Sequence, residues 1–265
     1  MTNGDRTVAL VTGATGVIGG AIARALAATP GFEVVIVARD EGRAEKAVGA
    51  IRDDSGNDAV RFVLADLSRR RSIEALAASW HGPLHVIVND AAAAPRKRQT
   101  TPEGIELTLA TNVLGYLWLA DAFVPHLVRT APARIVNVAS NWAGDLDLDD
   151  LEFKRRRFDN NIAYRQSKQA NRMLTVAQAE RLTDRGIAIN ACHPGNPSSG
   201  LTRDLGFGGH QSAEDAARTP VMLARGELGA GVTGRYFDGG REARCRFSED
   251  RPSVERLDAI CRGYD

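Results

Sequence analysis

Along the chain, short runs of continuous apolar residues alternate with longer stretches in which apolar positions recur every three to four residues. The runs at Val8–Val11, Glu33–Val37, Val60–Leu64, His85–Val88, Arg134–Val138 and Ala188–Ala191 read as strands, with a weaker one at Arg235–Phe237. Amphipathic stretches that begin near Val17, Glu41, Ser68, Pro102, Ala163 and Ser212 read as helices. Strands that are apolar throughout are buried on both faces, as in a parallel sheet covered by helices. With right-handed crossovers, the pattern predicts an α/β fold built on one doubly wound parallel sheet with helices on both faces. No repeat, low-complexity stretch or linker divides residues 1–265, so one domain is expected. Two segments interrupt the alternation, 141–161 and 196–211, the second rich in glycine. Long segments after the carboxyl ends of strands are where open α/β sheets build binding sites, so both are expected to border a substrate.

Composition narrows the function classes. With 43% hydrophobic residues and a net charge of +1 in 265 residues, the chain has material for a sizeable core and none of the signature of disorder. Near-zero charge gives no electrostatic case for nucleic acid or an anionic membrane surface. The arginine runs at Arg69–Arg71 and Arg155–Arg157 read as solvated faces. Cys192, Cys245 and Cys261 form no CxxC pair and are odd in number, which reads as reduced thiols in a reducing compartment. No apolar run approaches the ~18 residues that span a bilayer. The strand beginning at Thr7 leaves no room for a signal peptide, so a cytoplasmic protein is expected. His126 and His193 lack the partners of a metal site and read as structural; no metal is expected.

The segment VALVTGATGVIGG carries a strand into a helix through Gly13, Gly16 and Gly19. Such a turn lets the backbone approach a pyrophosphate at a helix N-terminus. Its other reading is a turn that serves packing only, and the position at the first strand of an alternating chain favours the nucleotide. At the end of the second strand, Arg39 suits a 2′-phosphate and hence NADP(H) over NAD(H). The competing reading has Asp40 on the ribose and Arg39 in solvent.

Tyr164 and Lys168 stand four residues apart in a predicted helix and share a face. A tyrosine of pKa about 10 is a poor acid–base catalyst at neutral pH, and a nearby ammonium would bring it towards the working range. A YxxxK spacing also arises by chance as an exposed helix pair, so context decides.

That context resembles the short-chain dehydrogenase/reductase superfamily over almost the whole chain. The loop TGATGVIG, Asp66 after the third strand, NDAA after the fourth, TNVLG at Thr111–Gly115, VNVAS ending at Ser140, the YxxxK and HPG at His193–Gly195 come in the family's order. The wording AYRQSKQAN, the spacing from Ser140 to Tyr164 and GRYFDGG look most like the retinol-dehydrogenase-like branch. The resemblance implies a single Rossmann-type dinucleotide-binding catalytic domain that reduces a carbonyl or oxidises the matching alcohol. Tyr164 would be the acid or base, Lys168 would hold the nicotinamide ribose and lower the Tyr164 pKa, and Ser140 would hydrogen-bond the substrate oxygen. Asn112 would hold a water linking Lys168 to solvent. Gly13, Thr15, Gly16, Val17, Ile18 and Gly19 would cradle the dinucleotide; Asp66 and Leu67 would meet the adenine, and Asn89 and Ala91 the adenosine side. Pro194, Gly195 and Ser199 would lie at the nicotinamide.

Three positions depart from the family pattern. Val17 stands where the loop usually has its central glycine, Ala92 closes NDAA in place of the glycine of NNAG, and Pro197 lacks the backbone N–H of the usual residue after HPG. Ser198 or Ser199 would then supply the missing donor. Trp142 reads equally as a wall of the substrate pocket or a core aromatic. Ser140 has no GxSxG elbow, which argues against a hydrolase. The expected function is an NADP-dependent ketoreductase for an apolar or specialised-metabolite carbonyl. Two alternatives remain: a catalytically silent NADP-binding regulator, and a redox-neutral epimerase, dehydratase or cyclase. The stripe Ser167, Ala170, Leu174 and Ala177 would pack against a partner subunit of a homo-oligomer or against its own sheet.

Overall fold

The computed structural model describes residues 6–264; residues 1–5 and 265 of the expected domain lie outside the described residues. β1 (Thr7–Thr12), α1 (Val17–Ala27), β2 (Phe32–Ala38), α2 (Glu41–Ser55), β3 (Val60–Leu64), α3 (Arg70–Ala78) and β4 (Val86–Asn89) alternate as the pattern predicts. A continuous helix follows, composed of α4 (Leu107–Leu109), a π-helical turn (Ala110–Leu114) and α5 (Gly115–Arg129). Then come β5 (Ala133–Val138), α6 (Asn160–Leu182), β6 (Ile187–Cys192), α7 (Gly200–Asp204) and α8 (Ala213–Arg225). β7 (Tyr236–Asp238), β8 (Arg241–Ala243), α9 (Arg246–Glu249) and α10 (Arg251–Arg262) complete the chain.

Helix starts follow capping chemistry more than hydrophobic period. The helix expected near Pro102 starts at Leu107, because the Glu106 carboxylate accepts from the N–H groups of Thr108 and Leu109. α6 begins three residues before Ala163, where the Asp159 side chain accepts from Asn161 and Ile162. The helix expected near Ser68 starts at Arg70, since Ser68 is held in a turn by the Asp66 carboxylate at 2.7 Å.

Among the described residues, eight strands form one sheet in the order β3-β2-β1-β4-β5-β6-β7-β8. All neighbours are parallel except the edge pair β7 and β8. Successive side chains point to opposite faces. Leu10, Val35, Ile87, Ile135 and Ile189 therefore face one core with α3, α5 and α6. Ala9, Val11, Val34, Ile36 and Val136 face the other with α1 and α8. Ala170, Leu174 and Ala177, part of the small-residue stripe, lie in the first of these cores, packed within their own chain.

The expectation about membrane-length segments is corrected in one respect. The helix Leu107–Arg129 is long and apolar enough to cross a bilayer by length and composition, with mean hydropathy 1.4, and 78% of its apolar window is buried inside the protein. Polar residues such as Thr111, Asn112 and Asp121 interrupt its apolar sequence.

The order reverses at β1: the chain moves to β2 and β3 on one side, then returns to β4 on the other. Ligand crevices of such sheets open at this switch, outside the carboxyl ends of the strands. Here the two ends are stitched together, because Thr12 Oγ1 accepts from the N–H groups of Asp90 (2.9 Å) and Ala91 (3.1 Å).

A glycine far from this crevice shows the opposite economy. Gly49 lies exposed inside α2, and a Cβ there would meet nothing within 4 Å. Gly49→Ala is expected to stabilise the fold by about 0.5–1 kcal/mol through helix propensity, read as a raised urea midpoint at unchanged slope.

Candidate active site

The cleft at the sheet's carboxyl edge has a volume of about 940 Å³ and is lined by Ile18, Asp90, Ser140, Trp142, Tyr164, Lys168, Pro194, Gly195, Ser199 and Phe207, among others. Ser140 follows β5, while Tyr164 and Lys168 stand one turn apart on α6, so one strand and one helix converge on a single point. All three are buried, at 7%, 8% and 2% exposure. Ser140 faces the Tyr164 hydroxyl closely enough to act on its acidity. The Trp142 N–H donates to Ser140 Oγ at 3.1 Å, which fixes the hydroxyl at the cleft wall.

Lys168 Nζ donates to the Val138 carbonyl at 2.8 Å and lies 5.6 Å from the centroid of the Tyr164 ring. Burial holds its pKa below the usual lysine range, against the opposing pull of Asp90. The expectation that Lys168 lowers the Tyr164 pKa is corrected here. Burial pushes the phenol up to about 12, with the Ser140 hydroxyl acting downward and the Asp90 charge upward. A buried phenolate loses more hydration than the distant, backbone-bonded ammonium returns. Tyr164 therefore stays protonated through the neutral range and is poised to donate.

Asn112 occupies the π-helical turn, an irregularity that often marks functional sites. Its amide donates to the Ala93 carbonyl (3.0 Å) and Ser167 Oγ (3.1 Å), and its oxygen accepts from the Ala93 N–H (2.7 Å). The side chain thus braces the segment after β4 against α6, with both its nitrogen and its oxygen engaged by protein. Asn89 is likewise turned into the protein, donating to Asn137 Oδ1 at 2.9 Å in a chain that continues to Thr175.

The glycine turn fits a dinucleotide. Gly13 adopts φ +74°, and a Cβ there would lie 2.8 Å from the Ala91 nitrogen. Gly16 is the N-cap of α1 with no side-chain capping bond, so the positive end of α1 has no protein oxygen from its own cap. Val17 is 38% exposed at this turn, outside the close packing that Gly13 and Gly19 require. Thr15 is half-buried beside it. Ala91 is half-buried, and Ala92 lines the cleft. Asp40 caps α2, accepting from the Arg43 N–H at 2.8 Å, whereas Arg39 is exposed and, among the described residues, makes no ion pair. Asp66 bonds the Ser68 N–H and hydroxyl. The carbonyl of Leu67 would lie 2.5 Å from a Cβ on Gly115, so that glycine lets α5 pass the end of β3.

The segment 196–211 forms one wall. The Asn196 carbonyl accepts from His210 at 3.0 Å and Gln211 at 3.3 Å, closing the base of the loop around α7. Ser199 is committed to a capping box with Thr202, and Ser198 exchanges bonds with Gly209. Both hydroxyls suggested as substitutes for the absent N–H of Pro197 are thus used within the loop. Of 141–161, only Asn141 and Trp142 line the cleft; the acidic stretch Asp145–Asp150 does not. Asp150 instead organises its own loop, accepting from the N–H groups of Lys154, Arg155 and Arg156.

Sequence reasoning missed several residues of this site. The apolar wall of Leu201, Leu205 and Phe207 packs with Trp142 and Tyr164, and the Trp142 and Phe207 rings meet edge-on at 5.0 Å. The residue in place of the second asparagine of NNAG matters as much. The Asp90 carboxyl lies against Gly19, where a Cβ would come within 2.7 Å of its Oδ2, faces Lys168 electrostatically, and is held well above the usual carboxylate range by burial. Its substitution for asparagine was visible; its contact with the glycine turn, across the switch point, was not.

Comparison with known proteins agrees with this geometry. The family model described as short chain dehydrogenase matches residues 7–206. A "Probable oxidoreductase" of Streptomyces antibioticus is 37% identical, over 92% of this chain and 89% of that protein. Retinol dehydrogenase 13 of Mus musculus is 33% identical, over 94% of this chain and 80% of that protein. Among solved structures, a 3-ketoacyl-(acyl-carrier-protein) reductase from Brucella melitensis complexed with NADH shares 27% identity at a TM-score of 0.67, covering 89% of this chain and 98% of that one. A sheet that reverses beside a glycine turn, a serine, tyrosine and lysine meeting in its crevice, and a match over most of the chain lead to one conclusion: this protein belongs to the short chain dehydrogenase family, with retinol dehydrogenases among its relatives, and is an NAD(P)-dependent oxidoreductase.

Proposed function

We propose that the protein is an NADP-dependent reductase of apolar, aromatic-bearing ketones or aldehydes. The observation that carries this reading is the juxtaposition of Ser140 and Tyr164 in one cleft, beside an apolar wall of Trp142, Leu201, Leu205 and Phe207. When bound, the nicotinamide cofactor supplies the hydride that reduces the carbonyl carbon. Tyr164 donates the phenolic proton to the carbonyl oxygen as it becomes an alkoxide. Ser140 donates a second hydrogen bond to that oxygen, stabilising charge as it develops. Asn112 keeps the segment after β4 in register with α6, and Lys168 fixes the end of β5 through the Val138 carbonyl. The aromatic wall excludes water and orients the carbonyl between the two hydroxyls.

Arg39 supports the choice of NADP. It follows β2, exposed and without an ion-pair partner among the described residues, while Asp40 is occupied as a helix cap. Loss of one charge-assisted phosphate contact costs roughly 1.5–3 kcal/mol. Arg39→Ala is therefore expected to raise the KM for NADPH by about tenfold or more, leaving the KM for NADH within about twofold by the same reasoning. Steady-state kinetics with both cofactors and a panel of aromatic and alkyl ketones tests the whole reading. Stoichiometric NADPH oxidation and alcohol formation are expected. Tight NADP binding without turnover across the panel would favour the silent regulator, and conversion without net cofactor oxidation would favour redox-neutral chemistry.

A further inference from the structure

A second cavity, of about 570 Å³, is lined by Asn141, Ala143, Arg172, Arg244, Arg246 and Phe247. It shares only Asn141 with the cleft just described. Three of its six lining residues are arginines, and their charges are unequally compensated. Arg244 is held by Glu249 through two bonds of 2.6 and 2.7 Å. Arg246 is exposed and stands 5.0 Å over the Phe247 ring, and among the described residues it has no carboxylate within ion-pair distance.

Arg172 is the unusual member. It lies on α6 one turn beyond Lys168 and is only 8% exposed. Its Nη2 donates to the Ser140 carbonyl and to the Tyr236 hydroxyl, the latter at 2.7 Å, and its guanidinium stacks 3.7 Å from the Tyr236 ring centroid. These partners are neutral. No carboxylate of the described residues forms an ion pair with Arg172, and its Nε is buried without an acceptor. A buried guanidinium with neither counter-charge nor a full set of acceptors is costly, and such groups are ordinarily paired. An anion in the adjoining cavity, which Arg172 lines, would supply the missing counter-charge.

We propose that this cavity is a binding site for an oxyanion, a phosphate or carboxylate group held between Arg172 and Arg246. The planar guanidinium fork matches both groups. Phe247 gives the cavity an apolar side on which the carbon body of such a ligand rests. The site stands apart from the dinucleotide turn, and its existence does not depend on the proposed reaction. Arg172 also donates to the Ser140 carbonyl, so the two sites share a wall.

Isothermal titration of the full chain with inorganic phosphate, and separately with acetate, tests the proposal. One saturable site per chain is expected for at least one of the two, and the tighter binder identifies the ligand as a phosphate or a carboxylate. Arg246→Ala, which removes an exposed side chain, is expected to weaken that binding about tenfold or more, the value of a charge-assisted contact. Arg172→Met is expected to do the same, and where it fails to fold, Glu249→Gln keeps the test decisive. That change frees Arg244 and is expected to tighten binding severalfold, a gain that damage to the fold does not produce. Absence of saturable binding by both anions overturns the proposal. Binding that is unchanged in Arg246→Ala overturns it as well, because the anion then sits elsewhere.

Discussion

Tyr164→Phe is expected to lower the rate of carbonyl reduction by roughly 10²–10⁴-fold, the ordinary contribution of a positioned general acid, while NADPH binding stays within about twofold. The substitution removes one oxygen from a ring that is 8% exposed and packed beside Trp142, so the fold and the apolar wall should survive. Fluorescence titration of NADPH and single-turnover absorbance at saturating cofactor separate the two effects. The pH dependence adds a second signature. Because burial pushes the phenol up to about 12, Tyr164 is protonated throughout the range in which reduction is assayed. Reduction should be flat with respect to this group from neutral to moderately alkaline pH. Oxidation of the product alcohol requires the deprotonated form, so its rate should climb with pH and reach no plateau below the phenol's pKa. Near-normal turnover in Tyr164→Phe, or an oxidation rate independent of pH across the alkaline range, would sink this assignment of the proton donor.

How much of this was legible beforehand depended on whether the signal was local. β1, β2, β4, β5 and β6 are buried on nearly every residue, so their continuous apolar runs stood out. β8 was invisible, because Arg241–Ala243 is polar and exposed at an edge. α10 had a readable pattern in Val254, Leu257 and Cys261, which pack against the core below α6. Asp250 caps it, yet in a short charged segment that spacing did not stand out. The order of glycine turn, Ser140, Tyr164 and Lys168 was legible because each motif is short and self-contained. Contacts across the chain were not. Arg172 meets partners 32 and 64 residues away, and Asp90 reaches back to the first turn of α1. The pKa of Tyr164 belongs to the same class: the four-residue spacing placed Lys168 on the correct face, but where its ammonium settles is decided by the Val138 carbonyl and by burial.

Gly19→Ala is expected to be the most damaging single-methyl change in the dinucleotide turn. A Cβ at Gly19 would lie 2.5 Å from both the carbonyl carbon and the oxygen of Gly13, and 2.7 Å from Asp90 Oδ2. The first two are backbone atoms of a turn that is itself fixed, since Gly13 has φ +74° and packs on the Ala91 backbone. Neither side can give way alone. Relief requires α1 to move away from the turn, and α1 is packed closely against α8, with Ile22, Ala23 and Leu26 buried in the core that both helices cover. Overpacking of this kind costs about 1–3 kcal/mol, a large share of the stability of a natural domain. The same displacement takes the α1 N-terminus, and with it the N–H groups and dipole that suit a diphosphate, out of place. Loss of measurable NADPH binding is therefore expected together with a lowered melting temperature. Gly49→Ala is the control for place, because the same methyl in open space on α2 is expected to stabilise. Calorimetric binding and thermal unfolding of the two variants side by side decide the matter; wild-type affinity in Gly19→Ala would mean that the turn yields where the packing says it cannot.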